Sequence, residues 1–103
     1  MEKLQIVWGD LDRTEAIESH IFDKAEKILT FAPKATTLIF NLKTINPTQS
    51  AGVNTFGVNA ELRLPNKQDV RVEKKGEALY RVVTDTQQSI LKQLKAKKDQ
   101  DLV

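Results

Sequence analysis

The chain has 103 residues, of which 40% are hydrophobic and 29% are charged, and its formal net charge is +2. These values fit one globular domain and exclude a disordered or collagen-like chain. The sequence contains no cysteine, which excludes disulfides, thiolate metal sites and a cysteine nucleophile.

The first part of the chain predicts a strand, a helix and a second strand. Apolar residues alternate with polar ones over residues 3–8, which is typical of a strand. Residues 13–31 predict a helix, with Asp12 as its N-cap and Glu15 as the capping partner three residues later. The apolar side of that helix comprises Ile17, Ile21, Ala25, Ile28 and Leu29. Pro33 ends the helix, and the β-branched and apolar residues 36–45 predict the second strand.

The second part predicts a hairpin, a further strand and a long helix. Polar residues 46–54 predict a long hairpin connection, and strict alternation over residues 56–64 is the clearest strand signal in the chain. A turn at residues 65–68 leads to a short fourth strand, Val70–Lys74, which Gly76 ends. The second helix covers residues 77–98, and its apolar side comprises Leu79, Val83, Thr86, Ile90 and Leu94.

The predicted fold class is α/β, a two-layer α+β sandwich with the element order β-α-β-β-β-α. The first two strands flank a helix, so we expect them to be parallel with a right-handed crossover. The last three strands form an antiparallel meander. Because each element has one apolar side, both helices are expected on one face of a four-stranded mixed sheet, with the other face in water. Residues 1–98 are expected to be one domain, followed by a short tail at 99–103.

The residue types argue against an enzyme. There is one histidine, and the four glycines are too scattered to form a phosphate-binding loop. No pair of carboxylates is singled out for acid–base chemistry. We therefore expect no catalytic residue, no cofactor, no metal and no small-molecule substrate. No apolar run reaches the about 20 residues of a membrane span, and no secretory signal begins the chain, so we expect a cytoplasmic protein that does not act at membranes.

Positive charge is concentrated in the last third of the chain. Residues 67–98 contain nine basic and four acidic side chains. Only Asp85 balances the basic residues of the second helix after Glu77, which indicates a polyanion-binding surface. Lysines that interact favourably with the helix dipole and keep the domain soluble would explain the same pattern equally well. The basic side chains of that helix are Arg81, Lys92, Lys95, Lys97 and Lys98, and Lys74 and Lys75 precede it. On the first helix His20, Lys24 and Lys27 form a positive strip, which taken alone is more typical of a solvated helix edge than of a binding site.

The aromatic residues do not favour base stacking. Trp8, Phe40 and Phe56 follow the inward alternation of their strands, and only Tyr80 is expected to be partly exposed. Single-strand binding sheets usually expose several rings. Recognition of the backbone or shape of folded RNA therefore fits this sequence better.

Several short segments together resemble the ribosome hibernation-promoting factor family, also called the ribosome-associated inhibitor or sigma-factor modulation family. The resemblance covers residues 3–99. The residues that carry it are Thr-Glu-Ala-Ile at 14–17, Lys24 and Lys27, Gly-Glu-Ala-Leu-Tyr at 76–80, Ile90, Lys-Gln-Leu at 92–94 and Lys-Asp at 98–99.

The resemblance implies the same fold and binding to ribosomal RNA of the small ribosomal subunit near its decoding region. The bound protein would block translation in stationary phase or stress. The basic positions that match the family are Lys24, Lys27, Lys92 and Lys98, and Arg81, Lys95 and Lys97 lie in the same basic helix. Further candidate contacts are His20, Lys74 and Lys75. The resemblance is to short members without a dimerising C-terminal domain, so we expect a monomer.

An alternative function belongs to a different class, a protein-interaction or regulatory module that has lost ribosome binding. The open sheet face and an edge strand would then pair with another chain. The charged fourth strand is, however, also typical of an edge that is protected from pairing. The two functions differ in salt dependence, which is steep for RNA binding and shallow for strand pairing.

Overall fold

A four-stranded sheet with two helices over one face makes up the structure. The computed structural model describes residues 1–45 and 55–99. In chain order the elements are β1 (Leu4–Val7), α1 (Glu15–Phe31), β2 (Thr37–Ile45), β3 (Thr55–Arg63), β4 (Val70–Gly76) and α2 (Leu79–Asp99). This order confirms the predicted β-α-β-β-β-α arrangement, while the predicted connection at residues 46–54 lies outside the described residues.

The strands lie in the order β1-β2-β3-β4. β1 runs parallel to β2 and the two later pairs are antiparallel, as predicted. Phe40 of β2 lies opposite Ala60 of β3, which in turn lies opposite Val72 of β4. Because side chains alternate along a strand, this register directs the apolar residues of β2, β3 and β4 to the same side.

The core lies between that side of the sheet and the helices. α1 contributes Ile21, Ala25 and Ile28, all fully buried. α2 packs on β3 and β4 and lies beside α1. Its buried apolar residues are Val82, Val83, Ile90 and Leu94. The opposite sheet face is polar and open, as predicted, and exposes Gln5, Asn41, Lys43, Asn59, Arg63, Arg71 and Lys75. Within the described ranges, neither helix is long and apolar enough to cross a membrane.

The start of α1 differs from the prediction. Asp12 is not the N-cap; the helix begins two residues later, at Glu15, with Thr14 as its cap. Thr14 has extended backbone angles, and its hydroxyl oxygen accepts a hydrogen bond from the backbone N–H of Ile17 at 3.2 Å. Asp and Thr are both good N-caps, so the choice depends on where the incoming chain leaves its extended conformation.

The turn after β1 requires glycine. Gly9 has a φ of +62°, in the left-handed region. A Cβ at this position would lie 2.6 Å from the carbonyl oxygen of Leu42, on β2. Both facts favour glycine, because other residues are strained at positive φ and any side chain would collide with the neighbouring strand.

The end of the sheet also differs from the prediction. β4 extends to Gly76, two residues beyond the predicted Val70–Lys74, since Lys75 and Gly76 still pair with Gly57 and Phe56 of β3. α2 consequently begins at Leu79, two residues later than predicted.

Candidate nucleic-acid interface

α1 and α2 lie side by side and run in the same direction. Near their N-terminal ends, the imidazole Nε2 of His20 lies 3.0 Å from the carbonyl oxygen of Tyr80. A carbonyl only accepts, so Nε2 carries the proton and donates it. The two rings also meet edge to face, with their centroids 5.1 Å apart. Near the C-terminal ends, the Lys98 ammonium lies 4.9 Å from the centre of the Phe31 ring. The surface between these two contacts is the interhelical groove.

Lysines from both helices follow this groove. Lys24 and Lys27 succeed His20 at spacings of four and three residues, which places them on the same side of α1. Lys95 and Lys98 occupy the corresponding side of α2. Lys27 and Lys98 line one pocket together, which brings the predicted basic residues of the two helices to one place. The Lys24 side chain is only 18% exposed, and its ammonium lies 3.9 Å from a carboxylate oxygen of Asp23.

The outer side of α2 extends the positive surface away from the groove. The Arg81 side chain is 80% exposed, and its Nε lies 3.9 Å from a carboxylate oxygen of Asp85. Lys92 lines a shallow cavity of about 290 Å³ together with Lys74 of β4. The remaining lining residues are Asp85, Gln88 and Ser89. We call the six basic side chains of the groove and of this outer side the basic helix surface: Lys24, Lys27, Arg81, Lys92, Lys95 and Lys98.

Two other predicted contacts point elsewhere. The ammonium of Lys97 donates a hydrogen bond to Gln68 Oε1 at 3.5 Å, next to the turn between β3 and β4. Lys75 lies opposite Gly57 on the open face of the sheet, on the side away from the helices. The structure thus separates Lys97 and Lys75 from the basic helix surface, and their part in binding stays a prediction.

Among the described side chains, most basic residues of the open sheet face contact a carboxylate, whereas most of those of the basic helix surface do not. On the sheet, Glu61 lies within 3.6 Å of Arg63 and within 3.1 Å of Arg71, and Lys43 lies 3.8 Å from Glu73. By contrast, four lysines of the basic helix surface have no carboxylate within 4.0 Å among the side chains of residues 1–45 and 55–98: Lys27, Lys92, Lys95 and Lys98.

The described residues contain no group of three or more histidine and acidic side chains that could hold a metal ion. The two buried polar residues of the core, Thr86 and Gln87, belong to α2. The Thr86 hydroxyl donates to the backbone carbonyl of Val82 at 2.7 Å, so it serves the helix itself. The feature that distinguishes the basic helix surface is its positive charge.

The family described as sigma 54 modulation protein / S30EA ribosomal protein matches residues 4–101. The chain belongs to this family. The match covers nearly the whole chain and confirms the resemblance noted in the sequence. The family description names ribosomal and sigma-factor roles rather than an enzymatic one.

Two solved structures of other proteins share the fold of this chain. A ribosomal subunit interface protein from Coxiella burnetii is 19% identical, with a TM-score of 0.72 over 93% of this chain and 97% of that one. The N-terminal domain of Thermus thermophilus Protein Y is also 19% identical, with a TM-score of 0.64 over 90% and 93% of the two chains. At this identity the likeness concerns the fold. The search of curated proteins returned no match.

Sequence reasoning missed one residue of the groove. Phe31 was interpreted only as the end of the first helix, yet it continues the spacing of His20, Lys24 and Lys27 by four residues. The spacing of four residues from Lys27 was the signal that could have placed Phe31 on the same side of α1 as the lysines. Tyr80, which was expected to be partly exposed, is 46% exposed.

Proposed function

We propose that this protein binds ribosomal RNA of the small ribosomal subunit near the decoding region and blocks translation during stationary phase or stress. The observation that supports this most directly is the basic helix surface, which gathers six basic side chains on one side of the domain. The chain belongs to a family whose description includes a ribosomal protein, which supports the ribosome as the partner. The fold that the chain shares with a ribosomal subunit interface protein supports the same partner. In this proposal residues 1–98 are the ribosome-binding domain, and the protein acts as a cytoplasmic monomer.

The physical mechanism is electrostatic. Lysine and arginine side chains release counterions when they meet RNA phosphates, so affinity falls steeply as salt rises. Such contacts position the protein on the RNA without reading its sequence. Because the six side chains project from two helices packed on a common core, they are presented as one preformed surface. A domain seated in the channel used by messenger and transfer RNA would inhibit by occupancy alone.

Co-sedimentation with isolated small ribosomal subunits tests the proposal. We expect saturable binding of about one protein per subunit at low salt, and its loss at high salt. A protein that remains folded by circular dichroism but does not sediment with subunits would contradict the proposal. Binding that is insensitive to salt would favour the interaction-module function instead.

A competition experiment tests the proposed location. Transfer RNA bound to the small subunit should be displaced by the wild-type protein if both occupy the decoding region. Stable binding of both at saturation would leave ribosome association intact but would contradict inhibition by occupancy.

A further inference from the structure

A pocket with an aromatic wall lies at the C-terminal end of the interhelical groove. Its volume is about 370 Å³, within the range of pockets that hold small organic groups. It is lined by Glu26, Lys27, Thr30, Phe31 and Lys98. It therefore combines a half-buried ring, two ammonium groups, one carboxylate and one hydroxyl.

The ring in this pocket differs from the rings in the core. Phe40 is fully buried between sheet and helices, whereas Phe31 packs against the core with one side and remains partly exposed. The Lys98 ammonium covers the ring at 4.9 Å from its centre. This contact joins a flexible, exposed side chain to the ring, and cation–π contacts at exposed sites are weak. A flat aromatic ligand can replace it.

We propose that this pocket holds one unpaired nucleotide of ribosomal RNA, with its base stacked on Phe31. The inference deepens the proposed function, on which it rests. The nucleotide's phosphate would meet Lys27 and Lys98, because two neighbouring ammonium groups attract an anion and Lys98 is released from the ring when the base stacks. Base–aromatic stacking contributes strongly to the recognition of single strands. Replacing the contact between Lys98 and Phe31 by a stacked base therefore favours the bound nucleotide.

Glu26 sets the orientation and the preferred base. Its carboxylate repels a phosphate, which directs the phosphate to the lysines and the base edge toward Glu26. An ionised carboxylate only accepts hydrogen bonds. Guanine offers two adjacent donors, N1–H and the N2 amino group, whereas uracil offers a single N–H between two carbonyl oxygens. The pocket therefore prefers guanine over uracil.

Short RNA probes test the pocket directly. The probes are two single-stranded RNA pentamers: one of five uridines, and one with a central guanosine flanked by uridines. Binding is measured by fluorescence anisotropy and by NMR of the Phe31 ring protons. We expect the guanosine pentamer to bind more tightly and to shift the ring signals. Phe31→Leu should weaken its binding about tenfold, the scale of one lost stacking contact, and Phe31→Tyr should restore it. Equal binding of both pentamers by the wild type, or wild-type affinity in Phe31→Leu, would overturn the proposal.

Two controls separate the pocket from the wider function. Phe22→Leu removes another exposed ring, 39% exposed and outside the pocket, and should leave pentamer binding unchanged. Glu26→Gln should reduce the preference for guanosine without lowering affinity for the uridine pentamer, because it also removes a charge that repels phosphate. If folded Phe31→Leu binds both pentamers and small subunits as the wild type does, the pocket proposal fails and the proposed function stands. If the wild type does not bind subunits, the proposed function fails whatever the pentamers show.

Discussion

Removing two charges from α2 should change the salt dependence of ribosome binding by a calculable amount. Six cations form the basic helix surface, and each phosphate contact contributes about 0.7 to 0.9 to the slope of log affinity against log salt. If all six meet phosphates, the wild-type slope is about −4 to −5. The double variant Lys92→Gln, Lys95→Gln keeps four cations, so its slope becomes about −3 to −4.

The difference is measurable as an affinity ratio. A fourfold rise in salt should weaken the wild type about 300- to 1,800-fold but the double variant only about 50- to 150-fold. The fold should survive, because both lysines are exposed and neither has a carboxylate within 4.0 Å among the side chains of residues 1–45 and 55–98. Glutamine also has nearly the helix propensity of lysine.

The assay is equilibrium co-sedimentation with small subunits at four or more salt concentrations. The matched control is Lys43→Gln, Arg71→Gln, which removes the same charge from the open sheet face and should keep the wild-type slope. A double variant on α2 with an unchanged slope would refute the placement of the interface on the helices. An equal loss of slope in the control would show that net charge alone drives binding.

Three further predictions concern the scaffold, and each is measured as the free energy of unfolding in urea. Gly9→Ala should lower stability by about 1–3 kcal/mol, because alanine is strained at positive φ and its Cβ would meet the Leu42 carbonyl; wild-type stability would contradict this backbone. Thr14→Ala should cost about 1 kcal/mol through loss of the N-cap, whereas Asp12→Ala should cost much less, and the reverse order would restore Asp12 as the cap. Ile28→Ala should cost about 2–5 kcal/mol and Ile28→Val about 0.5–1.5 kcal/mol, and equal small losses would place Ile28 outside the core.

Local patterns explain why the order of elements was predictable. Alternation in β2 and β3 and the helical spacing of Ile21, Ala25 and Ile28 each arise from one element's own period and its single apolar side. The parallel pairing of β1 with β2 follows from the helix between them. Element ends were less predictable. Two good capping residues precede α1, and β4 continues past Lys74 through Lys75 and Gly76 because β3 supplies backbone partners there.

The candidate interface was predictable in its residue types but not in its shape. Charge counting identified the lysines of both helices, since composition and spacing are local properties of the chain. Only the packing of α1 beside α2 decides that Lys27, Phe31 and Lys98, separated by up to 71 positions in the sequence, share one pocket. The same packing directs Lys97 toward Gln68, while the strand register places Lys75 on the far face of the sheet. Such proximities depend on how the helices dock on the sheet, which is a property of the whole core and not of any one segment.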